Sequence, residues 1–150
     1  MVRRAEPSDA EAVGRLLDDF NREFDEPTPG PAALAERVLR LLGEGDTVIL
    51  LSGERPDGLA VLRLRLSIWL EGLESYLAEL YVVPGRRGEG LGRELMEAAM
   101  DAARAEGATY MELGTGEDDA AARALYESLG FDNRGGRLDG PLNLFYEGEL

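Results

Sequence analysis

Residues 75–115 read SYLAELYVVPGRRGEGLGRELMEAAMDAARAEGATYMELGT, and the order of patterns in this stretch decides the fold class. Ser75 to Val83 is an apolar run of strand length. Pro84 ends it, because proline has no N–H to give to a ladder. Gly85 to Gly90 is a loop of glycine and arginine. From Leu91 to Glu106 the spacing turns helical, with Leu91, Leu95, Ala98, Ala99 and Ala102 on one face and Gly107 as the stop. Tyr110 to Thr115 is again a strand. Strand, loop, helix and strand in this order make a βαβ unit, the mark of an α/β sheet.

Nearer the N-terminus, Val2 to Ala5 predicts a short first strand. Ser8 and Glu11 have the spacing of a capping box, which starts a helix running to about Phe24 with Val13, Leu16, Leu17 and Phe20 on its apolar face. The stretch from Asp25 to Pro31 breaks it. A second helix is predicted over about Ala32 to Leu42, stopping at Gly43. Thr47 to Ser52 is a short apolar strand, and Arg55 to Gly58 reads as a turn. Leu59 to Leu70 alternates, with Ala60, Leu62, Leu64, Leu66 and Ile68 on one face and Arg63, Arg65 and Ser67 on the other. Glu71-Gly72 closes a hairpin to the strand that begins at Ser75. Beyond Thr115, Gly116 to Asp119 opens a helix over about Ala120 to Leu129, ended by Gly130. Two last strands are expected near Phe131 to Arg137 and Leu142 to Glu149, around the turn Asp139-Gly140-Pro141. No linker or internal repeat divides the chain, so residues 1–150 are read as one α/β domain with a mixed sheet.

Composition excludes several chemistries. The 150 residues contain no Cys, no His and no Lys. Thiol nucleophiles, Ser-His-Asp mechanisms, Cys/His zinc sites, Schiff bases and the Walker lysine are therefore absent, and no metal is expected. A general base has to be a carboxylate, a tyrosine, an amine or a water. Thirty acidic residues against 16 arginines give a net charge of −14. That balance argues against nucleic acid as a partner and favours a cationic small substrate. The start has no apolar signal core, and no stretch approaches the length of a membrane span, so a cytoplasmic protein without membrane association is expected.

Arg86-Arg87-Gly88-Glu89-Gly90-Leu91-Gly92-Arg93 carries the chemistry. Glycines allow a tight turn and a close approach of the backbone to a ligand. The N–H groups at the helix start favour negative charge, and Arg86, Arg87 and Arg93 add cationic donors. Together they describe a phosphate or pyrophosphate site; the other reading is a glycine-rich connection with surface arginines. The dinucleotide fingerprint fails on its last spacing. A P-loop fails because Leu91 stands where the lysine belongs.

Arg87-x-x-Gly90-x-Gly92 resembles the Gln/Arg-x-x-Gly-x-Gly/Ala signature of the GCN5-related N-acetyltransferase (GNAT) superfamily. The flanks agree in order and spacing. Ala78-Glu79-Leu80-Tyr81-Val82-Val83-Pro84 looks like that family's fourth strand, and Arg93-Glu94-Leu95-Met96 like the helix after it. Ala122-x-x-x-Tyr126-Glu127-x-Leu129-Gly130-Phe131 resembles its late helix, and Arg3-Arg4-Ala5-x-Pro7-Ser8-Asp9 its opening. The resemblance implies the GNAT fold: a mixed, mostly antiparallel central sheet splayed between strands 4 and 5, flanked by about four helices.

It also implies roles. The loop and helix start, Arg87, Gly88, Glu89, Gly90, Leu91 and Gly92 with Arg93 adjoining, would bind the pyrophosphate of acetyl-CoA. Tyr81, Val82 and Val83 would pair through their backbone with the pantetheine arm. Glu79 matches the general base, and Tyr126 the acid that protonates the departing thiolate. A Glu in an apolar strand is either buried with a raised pKa, as suits a base, or it sits at a wet edge or pairs with Arg63 or Arg65 across the hairpin. Simple alternation puts Leu77, Glu79, Tyr81 and Val83 on one face. Asp119, seven residues before Tyr126, stands where many relatives carry Asn; it suits a helix cap better than a phosphate contact.

The implied reaction is direct transfer of an acetyl group from acetyl-CoA to a primary amine in a ternary complex. The acceptor would be a cationic small molecule or a peptide amine, met by Phe20, Glu23, Phe24 and Trp69 within an acidic rim that includes Asp18, Asp19, Asp25 and Glu26. A catalytically silent GNAT-fold module that binds acyl-CoA as a sensor or partner domain is the other reading. Exposed strand edges are compatible with a homodimer.

Overall fold

Val2–Arg4 (β1), Thr47–Ser52 (β2), Gly58–Leu66 (β3), Leu73–Val82 (β4) and Ala108–Leu113 (β5) pair side by side in chain order. The structure is a computed structural model and describes residues 1–150. The first three pairings are antiparallel and β4–β5 is parallel, which makes the sheet mixed as expected. The helices are Ala10–Glu23 (α1), Pro31–Glu44 (α2), Leu91–Ala105 (α3) and Ala120–Ser128 (α4). No helix is long and apolar enough to cross a membrane. The chain forms two compact units, Met1–Leu113 and Gly114–Leu150.

In the first unit both faces of the sheet are covered. The apolar stripe of α1 and α2 (Val13, Leu16, Ala35, Val38) packs on Ile49, Leu51, Leu59, Val61 and Tyr81. Leu95, Met96, Ala99 and Ala103 of α3 are buried, and α3 packs on β2, β3 and β4. Burial on both faces explains why Thr47–Ser52 is apolar throughout rather than alternating. The alternation read in Leu59 to Leu70 holds only to Leu64. Leu66 and Ile68 are exposed because β3 ends at Leu66 and the hairpin runs past the helices.

Three local expectations are corrected. Ser8 does not cap α1: Pro7–Asp9 forms a 3₁₀ turn, and the Asp9 carboxylate accepts from the Glu6 N–H at 2.8 Å and from Arg3 at 2.7 and 2.8 Å. The second helix runs on through Gly43 and stops at Gly45, whose φ of 79° is the left-handed conformation that glycine takes without strain. Leu77 and Glu79 lie on opposite faces. Val61 is opposite Glu79, but Leu62 is opposite Leu77, so Ala78 is an extra residue in β4. Such a bulge reverses the alternation. Glu79 therefore shares the α1–α2 face with Val61.

In the second unit the Asp119 carboxylate accepts from the Ala122 N–H at 3.1 Å and caps α4. The helix ends as a Schellman motif, with Phe131 N–H to the Tyr126 carbonyl, Gly130 N–H to Glu127, and Gly130 at φ 92°. The two strands expected after Phe131 do not form. Asp132 accepts from the N–H groups of Arg134 and Gly136, the Arg134 guanidinium donates to the Gly140 carbonyl, and Gly135 and Gly136 have positive φ. Local side-chain bonds of this kind compete with a ladder for the same backbone groups.

Candidate active site

The site begins at the end of β4. Pairing with β5 stops at Leu77 opposite Leu113, so Ala78–Val82 pairs with β3 alone. This is the splay expected between strands 4 and 5. The Val83 N–H donates to the Asp57 carbonyl at 2.9 Å, which turns the backbone groups of Val83, and by alternation of Tyr81, toward β3. Those of Val82 point to the unpaired edge. Of the three residues expected to offer backbone groups to a ligand, Val82 is the one whose backbone faces this edge.

The glycine loop follows. Pro84–Arg86 is a 3₁₀ turn, and Gly88 and Gly90 adopt φ of 81° and 87°. A Cβ built at either glycine meets nothing within 4 Å, so the loop is an open cradle. The first bond of the α3 ladder runs from the Glu94 N–H to the Gly90 carbonyl at 3.1 Å, and the N–H groups of Leu91 and Gly92 precede it. These donors and the positive end of the helix dipole fit an anion.

The arginines are arranged differently from expectation. Arg86 is held by two carboxylates, Asp57 and Glu89, and Asp57 also accepts from the buried Ser52 hydroxyl at 3.0 Å. Arg86 thus ties the loop to the β2–β3 turn, and its guanidinium is neutralised. Arg87 reaches back over the sheet. Its Nη2 lies 2.8 Å from Glu23 Oε2, its Nε donates to the Val82 carbonyl at 2.9 Å, and its guanidinium sits 5.7 Å from the centre of the Tyr81 ring. Arg93, in the first turn of α3, lies 4.0 Å from Glu97. What the loop and the start of α3 present to an anion is therefore mainly backbone N–H.

Glu79 is half-buried, and no cation pairs with it. Arg65 is bound to Glu74 and Glu112, and Arg63 lies 3.9 Å from Asp46, so neither arginine of the hairpin neutralises it. Burial pushes its pKa above the ordinary carboxylate range. A raised pKa makes the carboxylate a stronger base than an exposed glutamate.

The end of α1 covers the same region of β4. Phe20 stacks on Tyr81 with ring centres 4.9 Å apart and planes at 11°, and Phe24 meets Phe20 edge-on at 5.4 Å. The Tyr81 hydroxyl donates to Glu23 at 3.3 Å. Two acids of the expected rim are already engaged. Glu23 is bound to Arg87, and the buried Asp18 accepts from the Thr28 hydroxyl at 2.6 Å and from Arg22 at 2.7 Å, pinning the α1–α2 connection. Those bonds, the Thr28 hydroxyl first, hold the Asp18 carboxyl below the usual range. Trp69 is 91% exposed on the β3–β4 hairpin, at the opposite end of β4 from Tyr81, so the structure does not bring it to Phe20, Glu23 and Phe24. Asp57 and Ser52, which fix the loop, carried no signal in the sequence beyond the turn at Arg55–Gly58.

Tyr126 belongs to the second unit. It is 8% exposed, its ring packs against Phe131, and burial, with the Asp119 charge behind it, pushes the phenol up to about 12.

Residues 11–131 match the model of the acetyltransferase (GNAT) family. The chain belongs to this family. The relatives agree with that membership. The chain is 33% identical over 145 residues to the IAA acetyltransferase of Azospirillum brasilense, covering 93% of this chain and 92% of that protein. It is 44% identical over 71 residues to the mycothiol acetyltransferase of Beutenbergia cavernae, a match covering 45% of this chain and only 24% of that longer protein. A solved structure from Arthrobacter sp. FB24, assigned as an acetyltransferase, superposes with a TM-score of 0.91 at 44% identity, covering 100% of this chain and 96% of that one. The sheet that opens beyond Leu77 and the glycine loop ahead of α3 are thus parts of a GNAT acetyltransferase fold.

Proposed function

We propose that this protein transfers an acetyl group from acetyl-CoA to the primary amine of a cationic small molecule, directly within a ternary complex. The observation that carries the reading is Glu79: an unpaired, half-buried carboxylate on the same strand as an unpaired edge that leads into an anion-binding loop. The fit to a pyrophosphate rests on the open cradle at Gly88 and Gly90 and the leading N–H groups of α3. Arg87, Glu89 and Arg93 flank that cradle as side chains. Backbone groups of the Val82 edge suit the amides of a pantetheine arm. When bound, acetyl-CoA supplies the acyl thioester.

Glu79, directly or through a water, takes the proton from the acceptor's ammonium and so exposes the lone pair. An N–H of the strand edge near Val82 polarises the carbonyl under attack. Tyr126, which keeps its proton throughout the neutral range, supplies the proton for the leaving thiolate. Without cysteine, no acyl-cysteine forms on the chain. For the acceptor, Phe20 and Phe24 offer an aromatic wall. Asp19, Asp25 and Glu26 are the exposed acids of the rim, beside Glu23, that suit a cation.

Calorimetric titration with acetyl-CoA, with NAD as comparator, tests the donor. Micromolar binding of acetyl-CoA alone is expected. Gly90→Asp, which puts a carboxylate at the cradle, should weaken it at least tenfold; unchanged affinity would remove the loop from the site. Amine-dependent release of CoA, measured across polyamines, aminoglycosides and peptide amines, then separates an enzyme from a module that only binds acyl-CoA.

A further inference from the structure

The Val82 carbonyl lies on the unpaired edge of β4, yet it already accepts a hydrogen bond, from Arg87 Nε at 2.9 Å. The same guanidinium is bound from its other end by Glu23, with Nη2 at 2.8 and 2.9 Å from the two carboxylate oxygens. Glu23 in turn is held by the Tyr81 hydroxyl, and the Tyr81 ring is clamped by Phe20. The last turn of α1, the end of β4 and the first residue of the glycine signature are therefore one connected unit. Its centre is a cation that would otherwise be available to the loop.

We propose that Glu23 is a positioning residue: its ion pair with Arg87 holds the arginine across the β4 edge, so a donor that pairs with that edge has to displace Arg87 from the Val82 carbonyl. This inference rests on the reading of acetyl-CoA as the donor. The Val82 oxygen has two lone pairs, so the conflict is one of space: an extended ligand running along this edge has to approach that oxygen where the Arg87 guanidinium already lies, with Nε 2.9 Å away. Displacement also frees the Glu23 carboxylate, at the end of α1 where the acceptor rim lies. Donor binding and the charge offered to the acceptor are then linked through a single side chain. The pair is partly exposed, with Arg87 at 44% and Glu23 at 26%, so it can be broken at modest cost.

The test is the affinity of Glu23→Gln for acetyl-CoA by calorimetry. Weakening the hold on Arg87 should tighten binding, by about two- to fivefold for an ion pair of this exposure. The ratio between the two proteins should shrink toward one as sodium chloride is raised, because salt already weakens the pair in the wild type. Glu23→Asp keeps the charge and should return the affinity toward the wild-type value, which guards against a general loosening of α1. A purely structural role for Glu23 moves the affinity the other way. Equal or weaker binding by Glu23→Gln, with wild-type binding intact, overturns the positioning role alone. Absence of binding by both proteins overturns the donor reading and this inference with it.

Discussion

Glu79 shows what one residue owes to its neighbours. Its pKa is raised by burial, and no arginine offsets it. A base works in its deprotonated form, so kcat should rise with pH through a midpoint above the ordinary carboxylate range. Glu79→Gln should lower kcat by roughly a hundredfold, remove that rise and leave the KM for acetyl-CoA nearly unchanged. A pH–rate profile of both proteins checks this. For Tyr126 the phenol is held up to about 12. Tyr126→Phe should lower kcat by about tenfold with acetyl-CoA affinity kept, since general acids contribute through the transition state. Equal turnover of Tyr126→Phe at neutral pH would take the proton donation away from it. At this scale the sequence showed a Glu in an apolar strand. It could not show whether Arg63 or Arg65 pairs with it, because the carboxylates that take those arginines come from the far end of β4, from β5 and from the turn before β2.

At the scale of elements, the crossing of α1 on α2 depends on Gly14. A Cβ there would lie 2.6 Å from the Pro31 carbonyl oxygen and 2.8 Å from the Ala35 nitrogen, both backbone atoms that cannot rotate away. Gly14→Ala should destabilise the fold by about 1–3 kcal/mol, although alanine is the better helix former; thermal unfolding measures it. Helical spacing alone reads Gly14 as a weak spot in an amphipathic helix. Only the position of α2 makes it a requirement. The β4 bulge at Ala78 is a second case: it is invisible to a count of alternating residues, yet it decides the face on which Glu79 lies. The strands expected after Phe131 are a third. Between Phe131 and Gly140, Asp132 and Arg134 bind the local backbone instead.

For the whole molecule, the absence of His and Cys removes the side chains whose ordinary pKa values fall near neutrality. Stability should therefore change little between about pH 6 and 9. It should fall in acid, and Asp9 is one identifiable cause. The Arg3 guanidinium and the Glu6 N–H hold the Asp9 carboxyl at about 2, below its ordinary 3.8. A lowered folded-state pKa contributes stability that is present above the unfolded value and lost as pH falls from there through about 2. Unfolding of Asp9→Asn should be less sensitive to acid over that interval than unfolding of the wild type.

Local pattern in the chain suffices for the class of the fold, the order of its elements through α4, the glycine loop ahead of α3 and the residue types available for catalysis. These are local properties: periodicity, turn chemistry and composition act over a few residues and do not depend on distant neighbours. The tertiary structure decided which charges meet. Arg86 is neutralised from the β2–β3 turn and Arg87 from the end of α1, and Asp18 accepts a hydrogen bond from Thr28 of the α1–α2 connection. In a chain with 30 acids and 16 arginines, nearly every guanidinium has several carboxylates it could pair with. Ion pairs act across space rather than along the chain, so only the folded positions select among them.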